Sequence, residues 1–200
     1  MKIVVLVKQV LDKDSNINLA ADGSLLNRED LALSTNECDS YALEEALQIK
    51  EKKGGEVIVL SVGNDSVLSV IKDGLAKGAD KGLHIKTDNE EDLDALQLAK
   101  LIASALRDEN IDIVLSGLQS DDKGYGQTGV LIAEILGLSH ASLVIGTEVT
   151  SDSVIKVKRE LESGWFQWVD LSLPTSMTIQ SGINKPRYSS LRGIMMMKKK

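Results

Sequence analysis

Residues 116–138, SGLQSDDKGYGQTGVLIAEILGL, follow the apolar segment IDIVL and pass through a polar loop into a segment with helical periodicity. In the loop, Gly117, Gly124 and Gly126 permit positive φ angles and close approach of the backbone. The amides at the start of such a helix attract a phosphate, because they have no partner within the helix. The pattern predicts a strand–loop–helix unit that either binds a phosphorylated ligand or forms an ordinary βα turn.

The composition indicates one α/β domain with an aliphatic core. The chain has 200 residues, of which 42% are hydrophobic and only 3% aromatic. Val, Ile, Leu and Ala are the usual filling of a parallel sheet covered by helices on both faces. The formal net charge of -7 argues against nucleic acid as the main ligand, because nucleic-acid phosphates require a basic surface.

The cysteine and hydropathy patterns indicate a cytoplasmic protein. Cys38 is the one cysteine, so it cannot form an intramolecular disulfide or a zinc site by itself, and the chain fits a reducing compartment. Residues 1–10 contain no small-residue cleavage site, and no apolar run approaches the roughly 20 residues needed to span a bilayer.

The first two thirds of the chain alternate between strand and helix patterns, which predicts a parallel, doubly wound sheet. The long segment between the first strand and the first helix is predicted to be an irregular loop or hairpin with a turn at Asp22-Gly23. We expect Asp39 or Ser40 to cap the first helix and Gly54-Gly55 to end it. The predicted strands are 2–10, 57–62, 82–86 and 111–115, and the predicted helices are 36–53, 67–77 and 92–108, with a fourth from about 127.

After Gly137 the pattern changes to strands alone, at 141–149, 154–162, 165–173 and 176–179. We interpret these as an antiparallel addition whose last strand follows a hairpin closed at Pro174. The predicted organisation is therefore a nucleotide-binding α/β domain over 1–184, with a parallel core to about 138 and antiparallel strands over about 141–181. A basic recognition loop or tail follows at 185–200.

Polar residues follow the strands where ligands of open α/β sheets bind, at the carboxyl ends of the strands. Asn36, Gln119, Gln127 and Thr128 are predicted to converge there and to hydrogen-bond an adenine, a ribose and a phosphate. The alternative is that Asn36 only caps a helix and that residues 121–122 are solvated.

Motifs of known catalytic chemistry are missing. No G-x-G-x-x-G follows the first strand, and the chain has no G-x-x-x-x-G-K-[ST] and no G-x-S-x-G. His84 and His140 are isolated and are more typical of packed or exposed histidines than of catalytic ones. We therefore predict no catalytic residues and no metal site.

The end of the chain, 182–200, is basic and contains Leu191, Ile194 and three consecutive methionines. Apolar residues on a basic segment favour docking to a partner, because Met and Arg are enriched at interfaces. The alternative is a disordered tail with one packed leucine.

Several segments, taken in order, resemble the β subunit of electron transfer flavoproteins. The resemblance covers essentially the whole chain, and it implies a fold like the adenine nucleotide α-hydrolases, with a parallel core of strand order 3-2-1-4-5 and an added antiparallel hairpin layer. It also implies an electron-carrier subunit without its own catalytic residues, in a heterodimer with an α subunit that carries the redox FAD. The matching segments are IVVLVKQVLD, ALEEALQIKEKKGGEVIVLSVG, GLAKGADKG, GLQSDDKGYGQTGVLIAEILGL, VKRELESG and NKPRYSSLRGIM.

The resemblance also implies ligand and partner sites. Members of this family usually bind AMP as a structural ligand, and Leu191 falls on the leucine that anchors into acyl-CoA dehydrogenases and similar donors. The implied AMP contacts are Leu6, Asn36, Glu37, Cys38, Asp39, Val62, Gly117, Leu118, Gln119, Ser120, Asp121, Asp122, Lys123, Gly124, Tyr125, Gly126, Gln127 and Thr128.

The chain departs from the family pattern in the AMP loop and in the hairpin. Glu37 stands where the family usually has proline, Lys123 lies within a run that is usually rich in aspartate, and Trp165 and Trp168 are unusual in the hairpin. Some members bind a second FAD in place of AMP and bifurcate electrons, and this remains an alternative. Two further alternatives are an ATP-splitting enzyme of the same wider fold and a stand-alone nucleotide-binding protein.

Overall fold

The computed structural model describes residues 1–23, 25–26, 31–89 and 92–197. Within these ranges, none of the helices combines the length and the apolar character needed to cross a bilayer. The strands are β1 (Lys2–Leu6), β2 (Gln9–Leu11), β3 (Asn18–Leu19), β4 (Leu25–Leu26), β5 (Leu33–Thr35), β6 (Glu56–Gly63), β7 (Lys81–Lys86), β8 (Ile113–Gly117), β9 (Ser139–Ser151), β10 (Val154–Glu160), β11 (Phe166–Ser172) and β12 (Thr175–Ile179). The helices are α1 (Glu37–Lys53), α2 (Leu68–Lys77), α3 (Ala95–Leu106), α4 (Thr128–Leu136) and α5 (Leu191–Met197).

The central sheet has the strand order β11-β10-β9-β12-β8-β1-β6-β7. All pairs from β7 to β9 are parallel, and β10 pairs antiparallel with both β9 and β11. In chain order the parallel strands β7-β6-β1-β8-β12-β9 run 3-2-1-4-6-5, so the expected order 3-2-1-4 is reproduced and β12 takes the place next to the fourth strand. The predicted doubly wound α/β fold with an added antiparallel hairpin is therefore confirmed.

The apolar run of β1 supplies both sides of the core. Ile3 and Val5 pack with the buried residues of α1 and α2, whereas Val4 and Leu6 pack with those of α3 and α4. Successive side chains of a strand point to opposite faces, so a strand buried on both faces needs a continuous apolar sequence. The helices on the second face, α3 and α4, form one wall of the cleft described below.

The predicted strand 176–179 is present, but its predicted place in the antiparallel addition is wrong. β12 pairs in parallel with β8 and β9 inside the core sheet, and only two residues separate it from β11. All five of its residues are buried. Two of its polar side chains are satisfied internally, since Thr175 Oγ1 donates to Ser139 O (2.9 Å) and Ser176 Oγ donates to Gly129 O (3.1 Å). Thr178 Oγ1 has no hydrogen-bond partner in the described part of the chain.

The first predicted strand, 2–10, divides into two. β1 ends at Leu6, and β2 leaves the central sheet to pair antiparallel with β5. The predicted turn at Asp22-Gly23 is confirmed, because it joins the paired strands β3 and β4. Residues 24 and 27–30 of this excursion lie outside the described residues.

Candidate functional site

Four segments meet at the carboxyl edge of the parallel strands and enclose a cleft of about 910 Å³, part of it open to solvent. They are the end of β1, the end of β6, the start of α1 and the loop from β8 to α4, residues 117–128. The start of α3 completes the wall. The cleft lies where β1 has β6 on one side and β8 on the other, which is the point at which ligands bind in doubly wound sheets.

Asn36 joins the start of α1 to the 117–128 loop. Its side chain is only 1% exposed, its Nδ2 donates to Gln119 O (3.0 Å), and its Oδ1 accepts from Asp121 N (2.9 Å). The side chain was predicted to meet a ligand or to cap the helix. Asn36 is the N-cap residue by position, but its side chain makes no capping bond. The amide instead fixes the shape of the loop.

Asp39 holds the ends of two strands together. Its Oδ2 accepts from Lys8 N (2.8 Å) and its Oδ1 from Gly117 N (2.8 Å), and the residue is 6% exposed. Burial raises the pKa of Asp39 to about 7, although the two backbone donors, the Asn36 side chain and the Lys8 charge act in the opposite direction. The prediction that Asp39 or Ser40 caps α1 is wrong, because the helix already begins at Glu37 and the carboxylate of Asp39 is bonded to strand ends.

The loop enters α4 through three glycines that form the pattern G-x-G-x-x-G at Gly124, Gly126 and Gly129. Gly126 has φ +61°, a backbone conformation that strongly favours glycine. At Gly129 a Cβ would lie 2.6 Å from Ser116 Oγ and 2.7 Å from Thr178 Cγ2, so only glycine lets α4 pack this closely on β8 and β12. The pattern follows the fourth parallel strand, and a search after the first strand alone therefore missed it.

The amino terminus of α4 opens onto the cleft without a side-chain cap. Gln127 is the N-cap residue, its side chain makes no capping bond, and the first turn contains no acidic residue. Gln127, Thr128 and Gly129 all line the cleft. Nearby, the Oγ of Ser116 is buried with no hydrogen-bond partner in the described part of the chain. Unpaired amides at a helix start form an anion-binding site when they face a cavity.

Part of the cleft lining forms an apolar wall. It consists of aliphatic side chains from β1, β6 and α3 and from the segment before α3. Such a surface can pack against a flat aromatic ring system, while the α4 terminus meets a charged group. The wall is formed by Leu6, Leu60, Val62, Leu93, Leu98 and Ile102.

The structure brings most of the predicted ligand residues to this cleft. Glu37 and Asp121 instead line a neighbouring polar depression, and Asp122 binds Lys8 at the cleft edge. Cys38 is half-buried beside the cleft, where burial raises the pKa of its thiol, and Gly124 lies in the loop without lining it. The predicted residues that line the cleft are Leu6, Asn36, Asp39, Val62, Gly117, Leu118, Gln119, Ser120, Lys123, Tyr125, Gly126, Gln127 and Thr128.

Other lining residues had not been predicted. Lys8 directly follows the first strand, and residues 93–95 follow the third parallel strand. Both positions share the carboxyl edge of the sheet with the predicted segments. The rule that ligands bind at the carboxyl ends of parallel strands would have found them. The additional lining residues are Val7, Lys8, Leu60, Leu93, Asp94, Ala95, Leu98, Ile102, Ser116 and Gly129.

Leu191 lies far along the chain, at the start of α5, and is 82% exposed. Arg187 anchors the preceding segment, because its Nε donates to Glu44 Oε2 (2.8 Å) and its Nη1 to Glu51 Oε1 (2.6 Å). At Gly193, α5 approaches α2 so closely that a Cβ would lie 1.9 Å from Ala76 O. The leucine is thus presented by an anchored helix. The predicted tail residues 198–200 lie outside the described residues.

Comparison with known proteins shows the family of the chain. The family model described as "Electron transfer flavoprotein domain" matches residues 25–200. The electron transfer flavoprotein subunit beta of Methylophilus methylotrophus is 39% identical over 197 residues, covering 97% of this chain and 75% of the relative. The corresponding subunits of Bradyrhizobium diazoefficiens and Dictyostelium discoideum are 37% and 33% identical, each covering 100% of this chain and 79% and 78% of the relative. The chain therefore belongs to the electron transfer flavoprotein family, among its β subunits.

Proposed function

We propose that the cleft holds AMP as a structural ligand. The observation that carries this proposal is the uncapped start of α4, which opens onto an apolar cleft at the carboxyl ends of the parallel strands. The phosphate binds the amides of the first turn of α4, where the helix dipole also favours negative charge. The adenine packs against the wall that contains Leu6, Val62 and Leu98.

The side chains at the cleft fit such a ligand. Gln127 and Thr128 lie at the phosphate end, where the Gln127 amide and the Thr128 hydroxyl can donate to phosphate oxygens. Gln119 lies in the same loop, and its side chain can bond polar groups of the ribose or the base. Asn36 and Asp39 contribute by holding the loop and the strand ends rather than by touching the ligand.

We also propose that the chain pairs with an electron transfer flavoprotein α subunit that carries the redox FAD. The relatives are named as β subunits of electron transfer flavoproteins, which supports the pairing. When bound, the FAD supplies the redox chemistry. This chain supplies placement and electrostatics, and flavin dehydrogenases of the acyl-CoA dehydrogenase type are the electron donors.

The test is to identify the small molecules released when the purified heterodimer is denatured, by chromatography at adenine and flavin wavelengths. We expect AMP and one FAD per heterodimer. Two FAD and no AMP would favour the bifurcating alternative, and the absence of any nucleotide beyond the α-subunit FAD would contradict the proposal.

A variant links the released nucleotide to the cleft. Gly126→Val is expected to abolish AMP retention, because a β-branched residue disfavours φ +61° and reshapes the phosphate loop. The matched control is Gly137→Val, at φ +67° beyond the other end of α4 and with no atom within 4 Å of a Cβ. Both substitutions carry backbone strain, but only the first lies at the cleft. Equal AMP content in the two variants would mean that the loop is only a turn.

We propose that Leu191 docks the donor dehydrogenase. An exposed leucine on an anchored helix can fill an apolar pocket, and removing such an anchor slows electron acceptance by about tenfold at limiting donor concentration. The assay is the rate of electron transfer from a cognate dehydrogenase to Leu191→Ala, with Met195→Ala as the control, since Met195 is also exposed on α5. FAD content is expected to be normal in both. Equal rates for Leu191→Ala and wild type would reject the docking role.

A further inference from the structure

The charged side chains that line the cleft divide into two groups. Asp39 and Asp94 are the acids of the described lining, and both accept hydrogen bonds from backbone amides, Asp39 from strand ends and Asp94 from α3. Lys8 and Lys123 are the cations of the same lining. Both acids are thus bound to the protein backbone, whereas the ammonium group of Lys8 pairs with a side chain at the edge of the cleft, Asp122.

Lys8 is fixed at its backbone and mobile at its ammonium group. Its main-chain N donates to Asp39 Oδ2 (2.8 Å), which positions its Cα at the cleft. Its Nζ donates to Asp122 Oδ1 (2.6 Å), on the 117–128 loop. The Lys8 side chain is 36% exposed and that of Asp122 is 41% exposed, so the ion pair lies at the surface and can open at little cost.

Asp122 has other hydrogen-bond donors besides Lys8. Burial alone would raise the pKa of Asp122, but bonds from Lys8, Ser120 and the Lys123 amide outweigh this and lower the pKa. The Lys123 amide donates to Asp122 Oδ1 at 2.6 Å and belongs to the loop itself. If Lys8 leaves, the carboxylate therefore retains a backbone donor and solvent.

We propose that Lys8 is a specificity-determining residue that selects ligands carrying a phosphate, and that Asp122 holds its ammonium group at the cleft edge until the phosphate replaces the carboxylate. The inference rests on the proposed function, because it assumes that a nucleotide occupies the cleft with its phosphate at the start of α4. Lys8 exchanges one anion for another, and the Asp122 carboxylate that it leaves keeps the Lys123 amide and solvent as partners. A ligand without a phosphate gains nothing from this exchange.

The competing role for the same contact is mechanical. The Lys8–Asp122 pair joins the end of β1 to the 117–128 loop and could act only as a brace for the cleft. A brace and a selector differ in two respects. Loss of a brace lowers the affinity for all ligands equally, whether Lys8 or Asp122 is replaced. Loss of a selector changes the affinity for phosphorylated ligands only. Replacing Lys8 lowers that affinity, and replacing Asp122 raises it.

The experiment measures the affinity of the nucleotide-depleted heterodimer for AMP and for adenosine by calorimetric titration, using wild type, Lys8→Met and Asp122→Asn. Lys8→Met is expected to weaken AMP binding at least about tenfold, the usual loss for a hydrogen bond to a charged group, and to leave adenosine binding within about twofold. Asp122→Asn is expected to strengthen AMP binding, because Lys8 no longer has a competing anion. The salt dependence of AMP affinity should decrease in Lys8→Met.

Each outcome separates the inference from the proposed function. If Lys8→Met weakens AMP and adenosine equally, or if Asp122→Asn weakens AMP as Lys8→Met does, the pair is a brace and the inference fails while AMP binding stands. If the wild-type protein binds neither ligand, the proposed function fails and the inference fails with it. Circular dichroism of both variants checks that they fold, and the opposite signs expected for the two variants cannot arise from partial unfolding.

Discussion

The helices α3 and α4 both begin at the cleft, but only α3 has a side-chain cap on its first amides. At α3, Asp94 Oδ1 accepts from Gln97 N (2.7 Å), and Gln97 Oε1 accepts from Asp94 N (3.0 Å), a complete capping box. At α4, Gln127 provides no side-chain cap and the first turn has no acidic residue. The amides at the start of α3 therefore bind the Asp94 carboxylate, whereas the amides at the start of α4 can bind solvent or a ligand.

The difference shows where the chain gives up local stability for binding. A cap of the kind seen at α3 is worth about 1 kcal/mol. Asp94 has the extended backbone that suits such a cap, whereas Gln127 has helical φ and ψ angles. The three glycines that lead into α4 cost further conformational entropy. The start of α4 is thus the less stable of the two termini and the better suited to a phosphate.

The strongest test adds a negative charge at the start of α4. Gln127→Asp places a carboxylate beside the amides that we assign to the phosphate, where its charge repels the phosphate. We expect AMP affinity to fall by about 100-fold, because like charges a few ångströms apart at a partly exposed site cost several kcal/mol. The nucleotide-free protein should at the same time gain about 0.5 kcal/mol of unfolding free energy, because the helix dipole favours a negative charge at this end. Calorimetric titration and thermal unfolding measure the two effects.

The control for this substitution is Gln127→Asn, which has the same size as aspartate but adds no charge. It should weaken AMP much less than Gln127→Asp does. Equal losses for the two variants would mean that the Gln127 side chain itself, and not the charge of the helix terminus, determines binding.

A second test moves α4 away from the sheet. Gly129→Ala brings a Cβ to 2.6 Å from Ser116 Oγ and 2.7 Å from Thr178 Cγ2, so we expect unfolding free energy to fall by about 1–3 kcal/mol, the usual cost of overpacking. Chemical denaturation measures the loss. Adding Ser116→Ala removes one of the two clashing atoms and should restore part of the stability. If the double variant is no more stable than Gly129→Ala, the close packing of α4 on β8 is not what requires glycine here.

Local patterns in the sequence predict most of the fold, because side-chain period and turn residues are local properties. The alternation of strands and helices and the ends of α1 at Gly54 and α2 at Gly78 follow in this way. The pairing of β12 does not, because Thr175, Ser176 and Thr178 look like an exposed strand until their partners in the core are known. Sheet position depends on tertiary burial, which single segments do not report.

The candidate site, like the fold, is predictable only where its features are local in the sequence. The 117–128 loop is predicted from its glycines and its place after an apolar strand, and it lies at the cleft. The roles of Asn36 and Asp39 are not predictable, because a side chain that bonds to a distant backbone looks in the sequence like a cap or a ligand. Lys8 and Asp94 also line the cleft. They follow the first and third parallel strands, so the strand-end rule applies to them as well, but neither lies in a glycine-rich loop that would have drawn attention to it.

A third prediction concerns Asp39, the first-turn acid of α1 whose carboxylate binds strand ends instead of its own helix. Its pKa is raised from 3.8 to about 7 in the folded protein. The folded state therefore retains a proton that the unfolded state has lost between about pH 4 and 7. The stability that Asp39 contributes is fully present below about pH 4 and decreases as the pH rises to 7.

The measurement is urea unfolding of wild type and Asp39→Asn at pH 5 and pH 7.5. The asparagine does not titrate, so the stability of wild type relative to the variant should be lower at pH 7.5 than at pH 5. The difference between the two proteins is the relevant quantity, because other carboxylates, such as Glu44, have lowered pKa values and stabilise the protein as pH rises. A difference that does not change with pH would show that Asp39 is ionised throughout.

The smallest expected effect is at the capped helix. Asp94→Ala removes the cap of α3 and should lower the unfolding free energy by about 1 kcal/mol, while Asp94→Asn, which can still cap, should lose much less. AMP affinity should rise slightly in both variants, because a negative charge leaves the cleft without disturbing the amides of α4. Thermal unfolding and AMP titration measure both quantities. If Asp94→Ala reduced AMP affinity as strongly as Gln127→Asp, both helix starts would contact the ligand. The proposed difference between the capped start of α3 and a phosphate-binding start of α4 would then be wrong.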